Sequence, residues 1–340
     1  MEVIFKSFIM LANASVKGAF KYRDLFQILP APDDFPRPPC LEAHHPCLLE
    51  LRYEFEFDPD LKTPDGQPVP DWIQQKDQEG KIIHEISSLF GVYSLSNFVF
   101  PSGGHSWSIN TEDGSNFDLQ WRQLSYFVED GKHQHNISNF TDAGCLPMEQ
   151  VETSKAYNFG ARFTGDDFSI PDFLPGILDS YYILERDDRD AILKMASIFN
   201  SALKIKTISS SISFAIFVTS IESLVDYQHK GDKVENCKEC NKPRYSVTRK
   251  FNDFLKRYSS DSNELVKFYK SAYDHRSKIL HAGALFLGEH IPLNWAESDW
   301  SAYHMRSGIE RICRIAFANW LLERAQMRRC AEFRVPRAEY

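Results

Sequence analysis

The chain has 340 residues, 43% hydrophobic and 25% charged, with a net charge of −8. That is long enough for two domains with sizeable cores, and ordinary for a water-soluble globular protein. The longest unbroken apolar runs, Phe8–Ala12 and Phe214–Val218, fall far short of the ~20 residues that cross a bilayer, and no signal-peptide pattern precedes them. The expectation is no membrane association. The seven cysteines are an odd count, which favours reduced thiols and a cytoplasmic setting over a disulfide framework.

In chain order, Asp33–Pro39 and Asp58–Asp71 are rich in Pro and Asp and read as loops. Between them Leu48–Phe57, LLELRYEFEF, alternates apolar and charged residues and predicts a half-buried strand. Lys81–Leu89 predicts a short helix, Pro101–Ser108 an exposed turn or loop, and Asp118–Val128 and Tyr157–Phe163 two further strands. The character changes at Ser169–Gly176, SIPDFLPG. Beyond it Asp188–Ile205 carries a stripe of Ile192, Met195, Ile198, Phe199 and Leu203. Ile208–Gln228 is apolar on several sides and predicts the central buried helix, and Glu297–Met327 predicts a long amphipathic one. The fold class is α+β: an acidic, mixed, strand-rich N-terminal domain over 1–175, then an all-α bundle over 176–340.

Charge divides along the same line. Residues 1–185 hold 13 Lys/Arg against 28 Asp/Glu, a net −15, whereas residues 230–281 hold 13 Lys/Arg against 7 Asp/Glu, a net +6. A local basic field can attract nucleic acid despite a negative total. These cations are equally compatible with an ordinary solvated face.

Within the basic stretch, Ser271–Gly283 reads SAYDHRSKILHAG and spaces Arg276 and His281 as R-x4-H. An arginine grips a phosphodiester through paired charge-assisted hydrogen bonds, and a histidine moves protons near neutral pH. Asn263 can cap a helix that runs to His281 with Gly283 just past its end, and such a helix places Val266, Tyr269, Tyr273, Arg276 and Leu280 on one face. Arg276 on an apolar stripe needs a partner. A core carboxylate such as Glu222 or Asp226, a substrate phosphate, and a salt bridge across a dimer interface all remain open. His281 lies about 140° around the helix from Arg276 at ~100° per residue, so the two do not converge automatically. It caps the helix C-terminus, where the dipole favours a cation, or acts as a general acid.

The R-x4-H segment, with Tyr273 before it and His-Ala-Gly at 281–283, resembles the active-site signature of HEPN domains, in particular the ApeA-like branch. The likeness spans about 145 residues, from Ile183 to Met327, and includes SISFAIFVTSIESLVD with Glu222 and YSVTRKFNDFLKRY. It departs from the family at Ser277, where many members carry Asn, Asp or His. The resemblance implies a HEPN-type bundle that dimerises, with catalytic Arg276 and His281 and no metal for catalysis. The implied activity is an RNA endonuclease of the anti-phage defence or toxin class. In that scheme the RNA 2′-hydroxyl attacks the adjacent phosphorus, and Lys278, Arg249 and Lys250 are candidates for holding the RNA. The N-terminal domain would sense or regulate, through a phage-derived or cellular trigger protein. A non-catalytic HEPN module and an interaction protein acting through its acidic domain are the rival expectations.

Cys237 and Cys240 have the C-x2-C spacing of half a structural zinc site, with His229 close by. The alternative for this pair is two reduced thiols on a polar loop. Cys40, His44, His45 and Cys47 form a second cluster that could complete the site or bind metal separately. No P-loop, G-x-G-x-x-G or nucleophile elbow occurs.

Overall fold

The computed structural model describes residues 1–12, 14–32, 45–94, 98–99, 107–110, 120–123, 134–142, 148, 150–152, 167–206, 208–232, 247–286, 289 and 300–334. Among them the fold is α+β, with mostly antiparallel strands and one long helix in the N-terminal half and helices after it. They form two compact units. The first runs from Met1 to Asp172, except for Gly91–Tyr93. The second holds Gly91–Tyr93 and everything described from Phe173 onward.

The first unit is built on β1 (Glu2–Ala12) and β4 (His45–Phe55), which pair antiparallel over their whole length from Glu2 opposite Phe55 to Ala12 opposite His45. β3 (Phe26–Pro30) flanks β4 and β2 (Phe20–Tyr22) flanks β3. On the far side of β1 lie β5 (Phe98–Val99) and β8 (Gln134–Ile137). Two short pairs stand apart: antiparallel β6 (Trp107–Asn110) with β7 (Gln120–Gln123), and parallel β9 (Gln150–Val151) with β10 (Ile170–Pro171). Trp107 and Ser108 are therefore strand residues and not part of the expected turn. The predicted strand over Asp118–Val128 is described as a strand only at Gln120–Gln123. Asp33–Pro39, Tyr157–Phe163 and residues 101–106 lie outside the described residues.

β4 buries Cys47, Leu49, Leu51 and Tyr53 in alternation, as its sequence predicts, but it also buries Glu50 at 1% exposure. That carboxylate is satisfied. It accepts from Gln27 Nε2 at 2.5 Å and from the Thr141 amide at 2.7 Å, and the Thr141 hydroxyl donates to its other oxygen. β1 is continuously buried from Phe8 to Ala12, so both faces are covered there. It lacks the alternation that marks a half-exposed strand.

α1 spans Asp71–Tyr93, far beyond the short helix predicted over Lys81–Leu89. Its second half carries the apolar stripe Ile83, Ile86, Leu89 and Phe90. Its first half is polar and is held by hydrogen bonds instead. Buried Glu79 accepts from Lys6 Nζ at 2.5 Å and from the Tyr53 hydroxyl at 2.6 Å, and Gln78 donates to the Glu54 carbonyl.

In the second unit α2 (Leu174–Tyr182) and α3 (Arg186–Ile205) lead to α4 (Ser210–Gln228). α4 is capped by the Ser209 side chain, which accepts from the Ile212 amide. It is the central helix. It packs against α3, α5 (Val247–Tyr258), α6 (Asn263–Ala282) and α7 (Trp300–Arg334). Phe199 of α3 meets Phe217 of α4 at 5.0 Å between ring centroids, and Trp320 of α7 is fully buried. α6 is capped one residue earlier than expected, by Ser262, whose hydroxyl accepts from the Leu265 amide. Gly283 ends it in the left-handed conformation at φ 63°. The buried stripe of α6 is Tyr269, Ala272 and Ile279, whereas Leu280 is 48% exposed.

Candidate functional site

α6 positions Arg276 against α4. The Arg276 Nη2 donates to Glu222 Oε2 at 2.6 Å, and the two side chains are 19% and 10% exposed. Of the two carboxylates the sequence leaves open, Glu222 is the partner. Tyr273 lies one helical turn earlier. Its ring packs on Phe251 at 5.2 Å, and the phenol and the Glu222 carboxyl influence each other's protonation. The guanidinium carbon stands 6.0 Å from the Tyr273 ring centroid. Arg276 Nε is buried with no hydrogen-bond partner among the described residues.

The electrostatics follow from this packing. Burial raises the Glu222 carboxyl above its ordinary range, the repulsion of Asp226 adds to that, and Arg276 and Tyr273 offset only part of it. Burial also lifts the Tyr273 phenol, and the neighbouring Glu222 charge lifts it further. The phenol therefore stays protonated and able to donate.

His281 is exposed, in the last turn of α6. The helix remains regular to Ala282, so the angular separation from Arg276 is kept, and no described contact joins the two side chains within one copy. The neighbouring His275 is half-buried, and its Nδ1 lies 2.8 Å from the Ser271 carbonyl one turn back. Lys278 is exposed. Arg249 faces Asp253 at 3.7 Å on the surface of α5, and Lys250 reaches Asp232 at 3.4 Å. Asp232 also takes His229 Nδ1 at 2.6 Å, and that bond, with Lys250, holds its carboxyl below the usual range.

Cys237 and Cys240 lie outside the described residues, as do Cys40 and His44. Cys47 is fully buried in β4, and burial pushes its thiol well above the ordinary range, away from the thiolate that a metal needs. Among the described residues no group of three or more His, Cys, Asp or Glu side chains is placed to hold a metal ion, and no helix is long and apolar enough to cross a membrane.

One anchor was not foreseen from the sequence. Glu289 lies beyond Gly283 and seats its carboxylate on the N-terminus of α4, taking the Ser211 amide at 2.5 Å and the Ser209 hydroxyl at 2.8 Å. The Phe286 amide donates to the Ser211 hydroxyl, and its ring packs on Phe214 at 5.6 Å. The segment leaving the motif helix is thus fastened to the helix that carries Glu222. A glutamate opposite a helix start is a recognisable signal only when the two are adjacent in sequence, and Glu289 is 78 residues from Ser211.

No protein-family model, curated protein or solved structure matches the chain.

Proposed function

We propose that the chain is an RNA endonuclease that needs no metal for catalysis and acts as a homodimer of its helical unit, as a defence or toxin effector. The observation that carries this is Arg276 itself: a half-buried guanidinium with one ion-pair partner and a buried Nε still without an acceptor, five residues before an exposed histidine. Such a group can take a phosphate oxygen and stabilise the charge that gathers on it. In the reaction the 2′-hydroxyl loses its proton and attacks phosphorus, and the 5′-oxygen leaves with a proton. The products are a 2′,3′-cyclic phosphate and a 5′-hydroxyl. His281 from one or both copies moves the protons. The acidic N-terminal unit receives the trigger protein; this role rests on the HEPN resemblance alone.

A second reading, a non-catalytic helical module that binds RNA or a protein, is favoured by one observation: Arg276 already has Glu222 at 2.6 Å. The deciding experiment incubates the purified chain with total RNA, with and without EDTA. The expected result is fragments bearing 2′,3′-cyclic phosphate ends in both arms, and no cutting by a folded His281→Ala variant. Cutting that disappears with EDTA, or a variant that cuts as well as the parent, overturns the first reading.

A further inference from the structure

We infer that the first unit carries a docking cleft for a basic peptide segment of another protein. The cleft lies where the β1–β4 ladder ends beside the start of α1, with a volume of about 680 Å³. Met1, Phe55, Phe57 and Pro70 supply its apolar lining, and Glu2, Glu56 and Asp71 supply three carboxylates against one cationic group, the Met1 ammonium. Phe57 is 46% exposed, and on the neighbouring surface Trp72 is 55% exposed. Exposed aromatics grouped beside an excess of carboxylates give the apolar and charged contacts that a peptide can use together.

The cleft is built, not improvised from a loose loop. Gln74 of α1 clamps the wall: its Nε2 donates to the carbonyls of Asp58 and Val69, and its Oε1 accepts from the Asp58 amide at 3.0 Å. Asp71 is fixed by the Trp72 amide at 2.7 Å. The charge decides the occupant. The three carboxylates outnumber the single ammonium, so the cleft repels a phosphate backbone and attracts Lys or Arg, while the apolar lining takes one aliphatic or aromatic side chain between them. Trp72 already accepts a cation, with Lys76 Nζ 5.4 Å from its ring centroid. The fitting partner is a peptide segment with Lys or Arg on either side of an apolar anchor.

The test uses the full chain and fluorescein-labelled heptapeptides with Lys or Arg flanking a central Leu, Met or Phe, read by anisotropy. A glycine-centred peptide of equal charge is the control. Apolar-centred peptides are expected to bind roughly ten-fold more tightly than the control, and added salt is expected to weaken them. Phe57→Ala with Trp72→Ala, both exposed positions, removes the preference for an apolar centre. Glu56→Gln with Asp71→Asn leaves only the Glu2 carboxylate, so it weakens the salt dependence and carries the test if the first variant fails to fold. The inference is overturned if no peptide of the set binds, if the glycine-centred control binds equally well, if neither variant changes binding, or if an oligouridine RNA competes for the same cleft. Each outcome is independent of whether the chain cleaves RNA.

Discussion

Arg276 and Glu222 form a half-buried ion pair of 2.6 Å between α6 and α4, with the guanidinium 6.0 Å from the Tyr273 ring centroid. The pair joins the two helices, and in the proposed reaction it sets how much of the guanidinium remains for a phosphate. Removing one partner strands the other's charge in a site with little solvent. Glu222→Ala is expected to lower stability by about 2 kcal/mol, below the range for a fully buried pair because Arg276 keeps some contact with water. Glu222→Gln keeps a hydrogen bond and loses less. Urea unfolding measures both, and a parental midpoint for Glu222→Ala would show that the pair is idle.

Two carboxyls make opposite contributions to the pH dependence of stability. Burial opposes ionisation of Glu310, but Arg314 and Lys206, at 3.1 and 3.3 Å, outweigh burial and hold the carboxyl below its ordinary 4.5. Its stabilisation is present above 4.5 and is lost as pH falls through the depressed native value. Glu222 lies above 4.5 in the fold. The native state therefore holds that proton more tightly, and its contribution falls as pH rises from 4.5 through the raised value. Relative to Glu222→Gln, the parent should be more stable in mildly acidic than in neutral solution. Relative to Glu310→Gln, the parent should lose its advantage only in stronger acid. Unfolding free energies across that pH range would reveal a reversed sign in either comparison.

Because Arg276 and His281 keep their separation around one regular helix, a shared site is expected to take them from different copies. Arg276→Ala and His281→Ala chains should each be inactive alone. An equimolar exchange mixture should recover about a quarter of parental activity, since half the dimers are mixed and each holds one intact site. No recovery in a mixture shown to contain mixed dimers would place both residues in the same copy.

Glu289 is expected to matter through position, not chemistry. Its carboxylate supplies acceptors to the start of α4. Glu289→Ala should cost about 1 kcal/mol, the scale of a lost helix cap. Ser209→Ala should cost a similar amount, and the two losses should not add. Thermal unfolding of the single and double variants reads this directly, and full additivity would show that the strap and the cap are independent.

What depends on neighbours in sequence was legible in the sequence. The alternation of β4, the all-round apolar character of α4, the helix carrying Arg276 and its end at Gly283 are local properties, fixed by periodicity and backbone preference. The division into a strand-bearing first part and a helical second part follows from them. Tertiary structure decided the rest. β1 carries no alternation because both its faces are covered over Phe8–Ala12, and the polar first half of α1 is helical because Lys6 and Tyr53 meet Glu79. Ile279, not Leu280, turns inward. Glu222 reaches Arg276 across 54 residues, and Glu289 reaches Ser211 across 78. A buried charge must find its counter-charge, but composition allows several candidates. Only the packing of α6 on α4 selected Glu222 over Asp226.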